Sequence, residues 1–165
     1  MTDLEMWIEK QKIHELCALY TLTLDSHDIE GWANCFTEDG VFGFVDRALR
    51  GRDKIAAYGR VHQNLLSRHL NTSLLFEIDA SGERATGQST TAVALGTRQG
   101  YKLAFLGRYE DEVRKVDGQW LFSRRWVVAD SLPEDPSFDL LGADPELVPL
   151  VQPLLDAYQR LGEPV

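Results

Sequence analysis

One stretch limits what this chain can fold into more than any other: Ile13 to Phe42, IHELCALYTLTLDSHDIEGWANCFTEDGVF. Ile13, Leu16, Cys17, Tyr20 and Leu24 recur at helical spacing and mark one apolar face. Leu19 and Leu22 widen that face, which predicts a helix covered on more than one side. Asp25 closes it among apolar positions. Asp28 reads as the N-cap of a second, shorter helix with Glu30 in its first turn, and Ile29, Trp32, Ala33 and Phe36 form its buried stripe. Thr37-Glu38-Asp39-Gly40 reads as a turn, and Val41 to Val45 begins a strand. Upstream, Leu4, Trp7 and Ile8 extend the first helix, with Trp7 expected in the core.

The rest of the chain continues in the same grammar. Gly51 turns into Asp53, an N-cap for a third helix whose stripe is Ile55, Tyr58, His62, Leu65 and Leu66. A lone histidine on such a stripe reads as packed or at the rim. From Ser67 the pattern alternates: Leu70, Thr72, Leu74, Phe76 and Ile78 face one side, His69, Asn71 and Ser73 the other. Leu75 interrupts the polar row, which suits a pocket lining. Ala85–Leu95 and Tyr101–Val116 are further strands, with a bulge or bend expected at Gly107. Asp117-Gly118 is a type I′ hairpin signal. Gln119–Val128 returns with Trp120, Phe122 and Trp126 on one face. Three helices followed by antiparallel strands define the α+β class.

Charge separates the chain into two parts. Its formal net charge is -9, yet residues 129–165 hold eight acids against the single base Arg160 and contain all six prolines. Residues 1–128 are therefore nearly neutral and form the domain. Residues 129–165 read as a proline-rich acidic extension of it, with helix starts at Asp144-Pro145 and Gln152-Pro153. Its Leu154, Leu155, Tyr158 and Leu161 need a surface to cover, either the mouth of a pocket or a neighbouring subunit. An acidic chain is a poor match for nucleic acid. No apolar run is long enough for a membrane span, and the charged N-terminus lacks a signal-peptide core, so cytoplasmic placement is the expectation. Cys17 and Cys35 both fall on helix faces and read as buried thiols.

Helix, Asp25, short helix with Trp32 and Phe36, acidic turn with Gly40, then strand: this order over residues 5–128 resembles the SnoaL-like group of the NTF2-like superfamily. That group includes scytalone dehydratase, hexachlorocyclohexane dehydrochlorinase and bile acid 7α-dehydratase. The resemblance implies a curved antiparallel or mixed sheet wrapped around three N-terminal helices, leaving a cone-shaped cavity. It also implies an Asp–His dyad that removes a proton from carbon with loss of a leaving group, without metal or organic cofactor. Asp25 and His69 occupy the matching places, and Tyr20 matches the active-site tyrosine of the bile acid dehydratases.

Asn71, Trp32, Phe42, Tyr58, Phe105, Arg108 and Trp126 are the expected substrate contacts, Arg108 only if the Gly107 bend turns it inward. Two departures stand out. No acid lies in Gln88–Leu95, and no second pocket histidine is evident. The expectation is a lyase for a small apolar compound, aromatic or polycyclic, in a homo-oligomer, dimer or trimer. Its rivals are an isomerase or hydrolase in the same cavity and a non-enzymatic ligand-binding module.

Overall fold

A capping box opens the first helix. Thr2 accepts from the Glu5 backbone N–H while Glu5 accepts from that of Thr2, and α1 runs Asp3–Asp25. The computed structural model describes residues 1–130 and 144–165; the part of the acidic extension between them lies outside the described residues. α1 buries Ile13, Leu16, Cys17, Tyr20 and Leu24. Its second face stays open: Leu19 and Leu22 are exposed, as are Leu4 and Trp7. The helix is covered on one side only, because the sheet curves under it without reaching round.

α2 (Ile29–Asn34) is capped by the Asp28 carboxylate, which accepts from the Gly31 N–H at 2.9 Å. β1 (Phe36–Phe44) starts earlier than the sequence predicts. Residues 37–40 are an irregularity inside it, between the pairs Phe36–Phe122 and Val41–Arg124, because β1 pairs with one strand on both sides of the bulge. β2 (Arg47–Arg50) follows and pairs antiparallel with β1. Gly51, at φ 89°, is the N-cap of α3 (Arg52–His62), so Asp53 sits in the first turn instead. α3 stops at His62, before Leu65 and Leu66. It lies close to α2, because a Cβ on Gly59 would come within 2.8 Å of the Trp32 ring.

The long strands are β3 (Ser67–Ile78), β4 (Arg84–Thr97), β5 (Gly100–Val116) and β6 (Gln119–Ala129). α4 (Val148–Leu161) and the short β7 (Glu163–Pro164) complete the order. Pro153 lies inside α4, so Gln152-Pro153 does not start a helix. The sheet runs β3-β4-β5-β6-β1-β2-β7. β1 and β6 are parallel and the other pairs antiparallel, so the sheet is mixed. Asp117 and Gly118 both have positive φ, as a type I′ turn between β5 and β6 requires.

Three further bulges, on β3, β5 and β6, decide which side chains of those strands face inward. A one-residue slip sends every following side chain to the opposite face. On β3 the extra residue falls at Ser73, whose φ is 52°. Ser67, His69 and Asn71 therefore point inward before it and Leu74, Phe76 and Ile78 after it, leaving Leu70 and Leu75 exposed. On β5 the extra residue is Ala104, not Gly107. Gly107 instead permits a close approach, since a Cβ there would meet the Val128 carbonyl at 2.2 Å. On β6 it is Ser123, which buries Arg125 and turns Trp126 outward. Among the described residues no helix is long and apolar enough to cross a membrane.

Candidate active site

The last residue of α1 meets the head of β3. His27, at φ 65°, reverses the chain after α1, and its Nε2 lies 2.8 Å from the Leu65 carbonyl, fixing the segment that leads into β3. Asp25 then receives three hydrogen bonds. The Ser67 hydroxyl donates to Oδ1 at 2.9 Å, and the His69 backbone N–H donates to Oδ2 at 2.8 Å. The His69 ring nitrogen Nδ1 lies 2.6 Å from Oδ1. Burial pushes the Asp25 carboxyl up, but the bonds from His69 and Ser67 outweigh it and hold the group below the usual carboxylate range. An ionised carboxylate only accepts, so in the neutral ring Nδ1 carries the proton and Nε2 keeps its lone pair.

His69 lines a cavity of about 170 Å³ inside the cone. Its walls are nearly all apolar or aromatic, with Tyr20, Trp32, Phe42, Tyr58 and Phe105 facing it. α4 lies across the mouth, with Val151, Leu154, Leu155 and Tyr158 completing the lining. Tyr158 latches it there. Its hydroxyl accepts from the Phe44 N–H at 2.7 Å and donates to the Arg47 carbonyl at 2.5 Å.

Tyr20 is fully buried, and burial pushes its phenol well up, so it is a neutral hydrogen-bond donor. Behind it lies Arg125, completely buried, in a bidentate pair with Asp111 at 2.8 and 2.7 Å. The guanidinium stacks 4.2 Å from the Tyr20 and Tyr109 ring centres and 3.9 Å from that of Phe122. Burial works against this cation, but the Asp111 carboxylate more than offsets it, so it stays charged. The pair holds the rings of Tyr20 and Tyr109 from behind without facing the cavity.

Three expected contacts are not in the cavity wall. Arg108 points to the outer face and pairs with Glu110 at 3.1 Å, because Gly107 does not bend it inward. Trp126 also lies outside, over Gly43 and under the Arg124 guanidinium at 4.8 Å, as the Ser123 bulge requires. Asn71 shares the inward face with His69 but sits beyond the cavity, and its amide atoms have no partner among the described residues. One residue runs the other way. His62, read as a packed or rim histidine, is buried in the cavity wall with its ring centre 5.5 Å from that of His69. Its place on the same stripe as Tyr58 is the signal that could have found it. For Asp111 and Arg125 the signal was an acid and a pair of arginines facing each other across one hairpin; only the bulge decides which arginine is buried.

A mixed sheet curled around helices, with an apolar hollow between them, is the NTF2-like cone. Within it the chain belongs to the family of SnoaL-like domains, whose model matches residues 7–126. It is 43% identical to the Mycobacterium tuberculosis protein Rv3472, described as of unknown function and solved with one Asp replaced by Asn. That match covers 100% of this chain and 98% of the other, with a TM-score of 0.93. A Novosphingobium aromaticivorans protein provisionally named as a scytalone dehydratase is 25% identical over 79% of this chain and 89% of its own, TM-score 0.69. ActVI-ORFA from Streptomyces coelicolor, at 22% identity over 74% of this chain and 98% of its own and a TM-score of 0.65, shares the fold. A search of curated proteins finds no match.

Proposed function

We propose that the chain is a lyase that removes water or a similar leaving group from a small monocyclic compound, with His69 as base and Asp25 as its partner. One observation carries this reading: Asp25 accepts from Nδ1 of a histidine in the wall of an apolar cavity, 2.6 Å away. The carboxylate fixes the tautomer and stabilises the imidazolium that forms. In such a dry site that coupling is stronger than in water. Nε2 takes a proton from carbon, the C–H electron pair becomes the new double bond, and the C–O bond opposite breaks. The departing hydroxide leaves as water with the proton the imidazolium returns. Tyr20, a neutral donor in the same wall, steadies the oxygen through its hydroxyl in this reading. With α4 seated, the cavity matches the roughly 150 Å³ that holds one benzene-sized ring.

The test is proton exchange. The protein is incubated in D₂O with cyclic β-hydroxy ketones, and products are followed by mass spectrometry and NMR. Loss of water together with base-dependent deuterium uptake, both abolished in His69→Ala, is the expected result. A rearranged product formed without loss of water would make the protein an isomerase. Full activity in a folded His69→Ala would remove the dyad mechanism.

A further inference from the structure

α1 carries apolar residues on two opposite faces, and the protein's own fold covers one of them. At 3.6 residues per turn, Leu4, Trp7, Ile8, Ala18, Leu19 and Leu22 fall within an arc of about 120°. That arc is centred opposite the stripe from Ile13 to Leu24 that packs into the core. All six are exposed, Leu4 at 67%, Trp7 at 59% and Leu22 at 69%. A helix with apolar residues on both sides is normally buried on both sides. Among the described residues nothing covers this second face.

The order of residues along the stripe singles out its occupant. Leu4, Trp7 and Ile8 make one end apolar, Ala18, Leu19 and Leu22 the other, and Gln11 and Glu15 stand between them. Turning the helix end for end about residue 13 exchanges the two ends almost residue for residue. A second α1 laid antiparallel sets Leu4 against Leu22, Ile8 against Leu19 and the large Trp7 against the small Ala18. Each pair occurs twice, because a two-fold contact uses the same patch on both copies. At the centre the Gln11 amide of each copy faces the Glu15 carboxylate of the other, donor to acceptor. A parallel copy would set Glu15 against Glu15 and Trp7 against Trp7.

We propose that this face of α1 is the two-fold interface of a homodimer, with the two helices antiparallel and crossing near residue 13. A specific interface buries at least about 1,000 Å² in all. Two helices of 23 residues in contact along their length, with five large apolar side chains from each copy, reach that size. The stripe holds an acid and no Lys or Arg, whereas a helix seated on a membrane surface carries basic residues beside its apolar face. The interface stands apart from the reaction proposed above, and its test reads no turnover.

The test is the mass of the full chain in solution, by sedimentation velocity across the micromolar range. Far-UV circular dichroism confirms that each variant is folded. The wild type is expected to be a dimer. Leu4→Lys and Leu22→Glu change exposed residues, so both fold, and each weakens the dimer by about 100-fold, since the two-fold buries every misplaced charge twice. Mixed one to one, the two variants form a dimer again. The new cation and the new carboxylate then face each other at one end, while native Leu22 and Leu4 meet at the other. Leu75→Glu, on the outer face of the sheet, leaves the dimer intact. A monomeric or trimeric wild type, a dimer that survives both α1 substitutions, one that Leu75→Glu dissociates, or a mixture that stays monomeric overturns the interface. A monomeric wild type that co-sediments with phosphatidylglycerol vesicles overturns it too, and gives the face to a membrane surface.

Discussion

Asp25 grips His69 at both ends, accepting the ring Nδ1–H on one oxygen and the backbone N–H on the other. The carboxylate therefore fixes the imidazole and also clamps the head of β3 to the end of α1.

Asp25→Asn breaks that arrangement while keeping its shape. An amide presents a donor where His69 needs an acceptor, so the ring tautomer that suits the base is lost. Elimination or exchange activity is expected to fall by about 10⁴, as for the analogous change in a serine protease triad. The thermal midpoint should also fall, because a buried donor loses its partner at a cost of about 1–3 kcal/mol. Steady-state kinetics and a melting curve on the same sample check both.

Acid should weaken the fold before any carboxylate titrates. His62 is held down to about 3 in the folded chain, while an unfolded histidine protonates near pH 6.5. Between those values the unfolded state binds the extra proton, so stability is full above about pH 6.5 and falls as pH drops toward 3. The lowered Asp25 carboxyl acts in the same direction, losing its contribution below about pH 4. Urea midpoints measured from pH 7 to 5 should decline, by at most about 1.4 kcal/mol per pH unit from His62. In His62→Leu that decline should shrink.

The Asp111–Arg125 pair should be intolerant of single changes. Arg125→Met strands a buried carboxylate and Asp111→Leu a buried cation, each costing about 3–5 kcal/mol. The double variant replaces the pair with apolar volume and is expected to be more stable than either single one. Chemical denaturation of the three variants gives the coupling directly.

Tyr158→Phe removes the hydroxyl that the Phe44 N–H and the Arg47 carbonyl both use. A loss of about 1–3 kcal/mol is expected. The hold of α4 on the cavity mouth should loosen with it, raising the affinity for ligands larger than one ring. A thermal-shift series with one-, two- and three-ring compounds would show the size preference move.

Where sequence and structure agree, the information is local. The apolar spacing from Ile13 to Leu24, the Asp28 cap and the Asp117-Gly118 turn each lie within a few residues, and each forms as read. The meeting of Asp25 with His69 follows from their places in a resembled order, not from any local pattern. Inward and outward faces were legible only up to the first bulge. One extra residue at Ser73, Ala104 or Ser123 leaves no mark in composition, yet it exposes Leu70, buries Arg125 and turns Trp126 outward. His62 packs as read, but its place in the lining of the hollow was not legible. A helical stripe looks the same whether it faces packed side chains or a hollow, and only the curvature of the distant sheet makes it a hollow.

The C-terminal residues are joined to the sheet: β7 pairs with β2, and the Val165 N–H reaches the Asp46 carbonyl at 3.1 Å. Trimming the chain after residue 157 would therefore do more than shorten a tail. It would unroof the hollow, admit water around Phe42 and Tyr58, and turn a shielded reaction chamber into an open cup with its imidazoles wetted.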